Sequence, residues 1–160
     1  MSYKNLAIDI ANTYGIPKDG FLALINQEST WNPLAVSPAG AMGLGQFMPE
    51  TWADWGDGKD PFDPEASLDA AARYLRWIRQ WLTSQGVPNG WDYVLASYNA
   101  GIGTVRNAYR NHGAGWFDVM PKETRDYVAK LYPHFTEKGI GPGALPIALI
   151  VFFLGYKYVA

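Results

Sequence analysis

The sequence predicts an all-α domain, or an α-helical domain with one minor hairpin, followed by a hydrophobic C-terminal helix. Apolar residues recur at helical spacing in several segments, and no run alternates between apolar and polar residues as a half-buried strand would. Residues 139–156 carry no charge, and most of them are aliphatic, aromatic or glycine. We therefore divide the chain into a helical domain over residues 1–138, a Gly/Pro hinge over residues 139–143 and a hydrophobic segment over residues 144–160.

The helices of the domain are bounded by residues that typically start or stop them. Proline is tolerated in the first helical turn, and glycine commonly follows the last residue of a helix. Residues 31–49, after the second helix, are rich in Gly and Pro and predict a loop with short turns. The expected helices are Tyr3–Tyr14, Pro17 to about Ser29, Pro49–Trp55, Pro64 to a stop near Gly86, Trp91–Tyr98, Gly103–Asn111 and Glu123–Phe135.

Composition and charge exclude several classes of protein. The chain has 160 residues, of which 48% are hydrophobic and 18% are charged, a composition typical of a folded globular domain. Its net charge is −2 and it has no block of Lys or Arg, so we expect no nucleic-acid partner. It has no cysteine, and its two histidines, His112 and His134, have no partner at metal-ligand spacing. We therefore expect no metal site, no cofactor and no Ser-His-Asp relay.

The hydrophobic C-terminal segment is long enough to span a membrane. Crossing a bilayer takes roughly 20 apolar residues and tolerates about 17. Lys138 and Lys157 bracket the segment, and Tyr156 and Tyr158 lie where interfacial aromatic residues are common. We interpret it as a transmembrane anchor because it has no polar face; the alternative is a helix buried against the domain or within an oligomer. The N-terminal segment carries one lysine and no apolar run, so we expect no cleaved secretion signal there.

One carboxylate stands on an apolar helix face. The positions i, i+3, i+4 and i+7 on one side of the second helix are occupied by Phe21, Leu24, Ile25 and Glu28. Burial and the negative end of the helix dipole both disfavour a charged carboxylate, so we expect a raised pKa for Glu28. An acid that keeps its proton near neutral pH is suited to cleaving a glycosidic bond. The placement alone is more typical of a glutamate that turns to solvent, and the motifs around it reverse that interpretation.

Five segments of the chain resemble motifs of the soluble lytic transglycosylase (SLT) family. They occur in the family's order and span roughly residues 16–133, which is most of the helical domain. One of them, SYNAG, has serine where the family's AYNAG motif begins with alanine. The segments are Gln27–Pro33 (QESTWNP), Ser37–Pro49 (SPAGAMGLGQFMP), the connecting helix within Asp63–Leu75, Ser97–Gly101 (SYNAG) and Glu123–Val128 (ETRDYV).

The resemblance implies a lysozyme-like α fold and cleavage of the glycan strands of bacterial peptidoglycan. Glu28 would be the only catalytic residue. It would protonate the oxygen that links N-acetylmuramic acid to N-acetylglucosamine and then take the proton of the muramic C6 hydroxyl, which closes a 1,6-anhydro ring. A second carboxylate would not be required, unlike in most glycosidases. The family pattern also implies that Glu123 hydrogen-bonds Tyr98 and orients it. The residues implied to bind the substrate are Ser37, Gln46, Met48, Tyr98, Asn99 and Glu123.

The glycine-rich second motif also has a physical interpretation. Gly43 and Gly45 would let the backbone approach a sugar closely, and the Gln46 amide would bind hydroxyl or N-acetyl groups. The family usually has a larger residue at the position of Gly45, which favours a wider groove here. Met48 is almost equally well explained as core filling. Three tryptophans close to the motifs could stack on sugars, although core packing is the default for each: Trp31, Trp52 and Trp55.

Two other functions stay open. Asp54 or Asp57 could supply a second carboxylate, as in a hydrolase of the goose-type lysozyme kind, although their Trp/Gly/Asp setting is more typical of a turn. A non-catalytic glycan-binding component of a virion or secretion apparatus would tolerate the loss of Glu28. A membrane helix behind an SLT domain resembles the wall-penetrating enzymes that phages carry. We therefore expect a membrane-anchored protein that acts on the periplasmic, cell-wall side, with a virion or an envelope-spanning machine as its setting.

Overall fold

The computed structural model describes residues 2–136. These residues form seven α-helices and one short 3-10 helix, and no β-strand occurs among them. The all-α prediction is therefore confirmed for the described part of the chain. The helices are α1 (Tyr3–Tyr14), α2 (Lys18–Ser29), α3 (Pro49–Trp55), α4 (Pro64–Ser84), α5 (Trp91–Ala100), α6 (Ile102–His112) and α7 (Lys122–Phe135), with the 3-10 helix Gly113–Phe117 between α6 and α7.

The ends of α1 and α4 carry capping groups. The Ser2 hydroxyl oxygen accepts a hydrogen bond from the amide of Asn5, and Gly15 ends α1 in the left-handed conformation (φ 66°). At the start of α4, Asp63 Oδ1 accepts a hydrogen bond from the amide of Ala66 at 2.7 Å. These contacts satisfy backbone groups at the helix ends that have no partner within the helix itself. Both helices therefore begin at the residues that the sequence predicts.

The sequence predicts that α5 stops near residues 99–101, and the backbone leaves the helix at Gly101 (φ 89°). The 3-10 helix over Gly113–Phe117 was not predicted, since five residues are too few to show a helical period. Its Trp116 is buried and stacks on Tyr93 with the ring centroids 4.3 Å apart, which holds the connection between α6 and α7 against α5.

The hydrophobic core lies around α4, the longest helix of the described residues. α4 packs on α1 and α5, while α7 packs on α2 and α5. The core therefore fixes the three helices that carry most of the predicted site residues. The buried side of α4 is an apolar stripe whose members are at most 1% exposed: Leu68, Ala71, Ala72, Leu75, Ile78 and Leu82.

The loop between α2 and α3 folds back on itself without forming a strand. Its β-pairing consists of two isolated antiparallel bridges, Val36 with Met42 and Met42 with Phe47. The amides and carbonyls of Met42 and Phe47 are hydrogen-bonded to each other at 2.9 and 3.1 Å. The minor hairpin that the sequence left open is therefore reduced to these bridges.

Helices α2 and α7 run antiparallel and in close contact. Near one end of the contact, Gly20 faces Phe135, and a Cβ on Gly20 would lie 2.6 Å from the Phe135 ring. Near the other end, the side chain of Tyr127 reaches Glu28. The same number of residues separates the two contacts on each helix. The close packing at Gly20 therefore sets which residue of α7 stands opposite Glu28.

The predicted membrane anchor cannot be placed in this fold. The hinge over residues 139–143 and the hydrophobic segment over residues 144–160 lie outside the described residues. Within residues 2–136, no helix combines the length and the apolar character that crossing a membrane requires.

Candidate active site

Glu28 lies in the last turn of α2, where the core meets the surface. The other residues of its helix face, Phe21, Leu24 and Ile25, are fully buried (0% exposed). Glu28 itself is half-buried. The predicted apolar face is therefore present, and its last member is a carboxyl group that has lost hydration but stays accessible to a substrate.

The chain turns sharply just after Glu28. Thr30 (φ 49°) and Trp31 (φ 64°) both adopt the left-handed conformation, which is unfavourable for residues that have a Cβ. The amide of Thr30 closes the helix end with a hydrogen bond to the carbonyl of Asn26 at 3.0 Å. Such residues cost of order 1–3 kcal/mol each and concentrate at functional sites. Here they end α2 directly after Glu28 and leave its carboxyl group at the tip of the helix.

A tyrosine from α7 completes the surroundings of Glu28. The hydroxyl of Tyr127, which is 7% exposed, donates a hydrogen bond to Glu28 Oε1. Burial raises the pKa of Glu28 from its usual value to about 7, while the hydrogen bond from Tyr127 lowers it. The raised pKa that the sequence predicted is confirmed, with burial as its cause; a contribution from the helix dipole stays a prediction. The role of Tyr127 itself was missed, although the residue lies within the ETRDYV segment.

Tyr98 is the second tyrosine beside Glu28. Burial raises the pKa of Tyr98 well above its usual value, and the negative charge of Glu28 raises it further, which places the two groups close together. The Tyr98 hydroxyl donates a hydrogen bond to the carbonyl oxygen of Gly45 at 2.7 Å. The predicted hydrogen bond between Glu123 and Tyr98 is therefore wrong. Glu123 is exposed in the first turn of α7, and its carboxylate makes no hydrogen bond within residues 2–136.

Asn99 connects α5 to the start of α7. Its Oδ1 accepts a hydrogen bond from the hydroxyl of the buried Thr124 at 2.8 Å, while Asn99 as a whole is exposed. The SYNAG and ETRDYV segments are thus joined side chain to side chain. The side-chain nitrogen of Asn99 makes no hydrogen bond within residues 2–136 and stays available to a ligand.

The loop between α2 and α3 carries the other three predicted binding residues. Ser37 Oγ accepts a hydrogen bond from the amide of Ala41 at 3.0 Å, which leaves its own hydroxyl hydrogen available. Gln46, in the left-handed conformation (φ 51°), donates through Nε2 to the carbonyl of Gly43 at 2.9 Å, so its Oε1 is the free polar atom. Met48 is 39% exposed, which is inconsistent with core filling. Contact of these side chains with a substrate stays a prediction.

The two glycines of the loop face protein rather than a groove. A Cβ on Gly43 (φ +71°) would lie 2.1 Å from the backbone oxygen of Pro61, and one on Gly45 would lie 2.8 Å from the Phe47 ring. Both glycines are buried. The expectation that they admit a sugar is therefore wrong, and so is the wider groove inferred from Gly45. They let the loop lie directly on the segment before α4 and on the Phe47 side chain.

Comparison with known proteins identifies the family. Residues 5–120 match the model of the transglycosylase SLT domain. The soluble lytic murein transglycosylase of Escherichia coli (strain K12) is 30% identical over 144 residues, which is 80% of this chain and 21% of that protein. The membrane-bound lytic murein transglycosylase C of Haemophilus influenzae is 34% identical over 122 residues, or 68% of this chain and 34% of that protein. The chain belongs to the SLT family. It spans about a fifth to a third of the length of these curated relatives.

A solved structure supports the same assignment. The 70 kDa soluble lytic transglycosylase of Escherichia coli superposes with a TM-score of 0.71 at 28% identity, covering 96% of this chain and 25% of that one. The family match ends at residue 120, before α7 begins. Tyr127 therefore lies outside the residues that the family model matches. Its contact with Glu28 is observed in the structure of this SLT chain.

The alternative of a second carboxylate finds no support in this SLT domain. Asp57 (φ 52°) pairs with Arg73 at 2.8 Å and is exposed, in keeping with the predicted turn, and Asp54 is also exposed. Among residues 2–136, burial raises the pKa of Glu28 and the Tyr127 hydroxyl lowers it, with no contribution from Asp54 or Asp57. Within residues 2–136, no group of three or more acidic or histidine side chains is arranged to hold a metal ion.

The tryptophans near the motifs differ in their surroundings. Trp52 is buried (8% exposed), and its ring nitrogen donates to the carbonyl of Lys59 at 2.9 Å, so core packing is confirmed for it. Trp31 is half-buried, with Lys4 Nζ 5.7 Å from its ring centroid. Trp55 is half-buried and packs on aromatic side chains of α4, which form a surface described below.

Proposed function

We propose that this chain cleaves the glycan strands of peptidoglycan as a lytic transglycosylase, with Glu28 as its single acid and base. One observation carries the proposal: burial raises the pKa of Glu28 to about 7, and no second carboxylate within the described residues 2–136 influences it. Membership of the SLT family supports the proposal, and both relatives named above are lytic murein transglycosylases. A hydrolase of the usual kind would need two carboxylates flanking the bond.

The first step uses Glu28 as an acid. Because the Tyr127 hydroxyl donates to Oε1, the acidic proton resides on Oε2, which is the oxygen free to face a substrate. Oε2 transfers its proton to the glycosidic oxygen as the bond from that oxygen to the muramic C1 breaks. A group whose pKa is about 7 holds this proton in about half of the molecules at pH 7, so both the acid form and the base form are accessible there.

The second step uses the same group as a base. The C6 hydroxyl of the muramic residue attacks C1, and its proton passes to the Glu28 carboxylate, so the acid form is restored. The products are a 1,6-anhydromuramoyl end and a free 4-hydroxyl, and no water is consumed. During the interval in which Glu28 is charged, the Tyr127 hydroxyl stabilises the carboxylate through its hydrogen bond.

The remaining predicted residues supply polar groups for binding the sugars. The Gln46 Oε1 accepts a hydrogen bond from the substrate, while the Ser37 hydroxyl and the Asn99 amide donate to it. The support is that each of these side chains keeps a polar group that makes no hydrogen bond within residues 2–136. Met48 contributes an exposed apolar contact, and Glu123 contributes an exposed carboxylate beside Asn99 and Thr124.

Product analysis tests the activity. Purified sacculi are digested with the wild-type chain and with Glu28→Gln, and the released fragments are examined by mass spectrometry. Anhydro-muropeptides are expected from the wild type alone, because the amide keeps the shape of Glu28 but cannot exchange the proton. Asp54→Asn serves as the control and should release the same products as the wild type. Fragments with only reducing muramic ends would instead identify a hydrolase and overturn the proposal.

We also propose that residues 144–160 anchor the domain in a membrane, through the hinge at residues 139–143. The support is the uncharged sequence between Lys138 and Lys157. A membrane tether would confine the SLT domain to the wall next to that membrane, on its periplasmic side. This arrangement suits local penetration of the wall by a virion or an envelope-spanning machine. Flotation of the full chain with liposomes, compared with a chain truncated after Lys138, tests the anchor: only the full chain should float.

A further inference from the structure

A row of aromatic side chains runs along one face of α4. Tyr74, Trp77 and Trp81 follow the spacing i, i+3 and i+7, and we call these three residues the aromatic stripe. The ring planes of Tyr74 and Trp77 are 16° apart, and those of Trp77 and Trp81 are 26° apart, with centroids separated by 5.9 and 6.1 Å. All three residues are half-buried, so each leaves part of its ring in water.

The aromatic stripe begins at the candidate active site. The ring of Tyr74 lies 5.6 Å from that of Tyr98, the tyrosine beside Glu28. Trp55 supports the stripe, with its ring 5.2 Å from Tyr74 and 5.4 Å from Trp77. The catalytic site and Trp81 are therefore connected by a continuous series of rings.

An arginine without an acidic partner stands at the far end. The guanidinium of Arg106, on α6, lies over the Trp81 ring at 5.7 Å and is half-buried. Its hydrogen bonds go to the neutral side chain of Asn107, and no carboxylate within residues 2–136 pairs with it. Arg73, which lies over Trp55, is by contrast neutralised by two aspartates. The flat face of Arg106 is thus held on the indole while its charge stays available to an anion.

The three rings pack against the hydrophobic core, which accounts for their buried parts but not for the ring surface that they leave in water. Covering apolar ring surface gains about 25 cal/mol per Å², so a ligand that lies on the exposed parts of these rings is stabilised. The apolar faces of sugar rings can cover aromatic rings, and the peptide stems of a wall polymer carry carboxylates that suit Arg106. Both requirements are met by one polymer, the one whose bond lies at Glu28.

We infer that the aromatic stripe and Arg106 form an accessory binding surface for the peptidoglycan strand, with sugar rings on Trp77 and Trp81 and a strand carboxylate on Arg106. The inference rests on the proposed function, because the occupant is the polymer that Glu28 would cleave. It extends the site from the cleaved bond along α4 to α6, a path that the predicted binding residues do not include.

Binding to intact sacculi, measured by co-sedimentation in a Glu28→Gln background, separates attachment from cleavage. Adding Trp81→Leu or Arg106→Gln should weaken binding about five- to tenfold, the loss expected for one aromatic contact or one charge-assisted contact. Trp81→Tyr, which keeps a ring, should retain most of the binding. Circular dichroism and thermal unfolding check that each variant is folded.

The matched controls lie on the same protein but off the stripe. Arg79 stands over Trp91 at 5.0 Å, in an arrangement like that of Arg106 over Trp81. Arg79→Gln and Trp91→Leu should bind sacculi as the Glu28→Gln parent does. Equal losses in stripe and control variants, or no loss in either, would overturn the inference. Failure of the proposed function looks different: the Glu28→Gln parent and its variants would still differ in binding, but the wild type would release no anhydro-muropeptides.

Discussion

The hydroxyl of Tyr127 donates a hydrogen bond to Oε1 of Glu28, joining α7 to the last turn of α2 across 99 residues of sequence. The contact acts on Glu28 in two ways. It lowers the pKa that burial has raised, and it engages Oε1, which leaves Oε2 without a hydrogen bond within residues 2–136. A single phenol thus influences both the protonation and the orientation of the proposed acid.

Tyr127→Phe should shift the pH profile of cleavage. Because the hydrogen bond lowers the pKa of Glu28, its loss raises that pKa further, and the alkaline limb of kcat moves to higher pH. The maximal kcat should fall about tenfold, since the carboxyl group loses its orienting contact. Rates of glycan cleavage measured across pH test both effects. Tyr132→Phe, a half-buried tyrosine on the same helix, is the control and should leave the profile in place; an unshifted limb in Tyr127→Phe would contradict the role of this contact.

Glu28→Gln should be more stable than the wild type at neutral pH and above. Folding raises the pKa of Glu28 from 4.5 to about 7, so between these values the folded state binds more protons than the unfolded state. The free energy of unfolding of the wild type therefore falls as pH rises through this window, by up to about 3 kcal/mol. The neutral amide avoids that loss. Thermal unfolding of both chains between pH 4 and pH 8 tests this, and the difference should be smallest at the acidic end; curves that stay parallel would argue against a buried, protonated Glu28.

Gly20→Ala should damage the site from a distance. A Cβ there would lie 2.6 Å from the Phe135 ring, so α7 must move away from α2 and carry Tyr127 with it. Overpacking of this kind costs about 1–3 kcal/mol of stability. Cleavage should weaken as well, which thermal unfolding and sacculus digestion together detect. Gly103→Ala is the matched control, because a Cβ at this helical glycine meets nothing within 4 Å; it should be neutral or slightly stabilising.

Gly43→Ala should destabilise the loop between α2 and α3. Its Cβ would lie 2.1 Å from the backbone oxygen of Pro61, in addition to the strain of a positive φ (+71°). Gly40 has a positive φ as well (+91°), but a Cβ there meets nothing within 4 Å. Gly43→Ala should therefore cost about 1–3 kcal/mol more than Gly40→Ala in the free energy of unfolding. Equal costs measured by denaturant titration would mean that contact with Pro61 does not decide the residue at this position.

The helices and the raised pKa of Glu28 could be predicted from the sequence, because both depend on local patterns of residues. The spacing of Phe21, Leu24 and Ile25 identifies a buried face, and burial on that face raises the pKa of a carboxylate. The hydrogen-bond partner of Glu28 could not be predicted in the same way. Tyr127 stands on the buried side of its own helix, where a tyrosine is as well explained by the core as by a polar contact.

The wrong expectations about the two glycines and about Glu123 share a physical cause. A glycine shows that space is needed but not what fills it, and at Gly43 and Gly45 the space is filled by Pro61 and Phe47. Tyr98 likewise has one hydroxyl hydrogen, and the sequence does not reveal that a backbone carbonyl accepts it instead of Glu123. Non-local contacts of this kind are set by how helices pack, which periodicity does not encode.

The contact of Glu28 with α7 can form only late in the synthesis of the chain. During synthesis, α2 leaves the ribosome long before residues 122–135 are made, and until then neither Tyr127 nor the packing of α7 against α2 exists. The nascent chain therefore carries a glutamate that is hydrated and ionised, with no competent acid. A protease cut in the exposed connection around Val119 would leave only the packing of α7 on α2 and α5 to hold Tyr127 against Glu28.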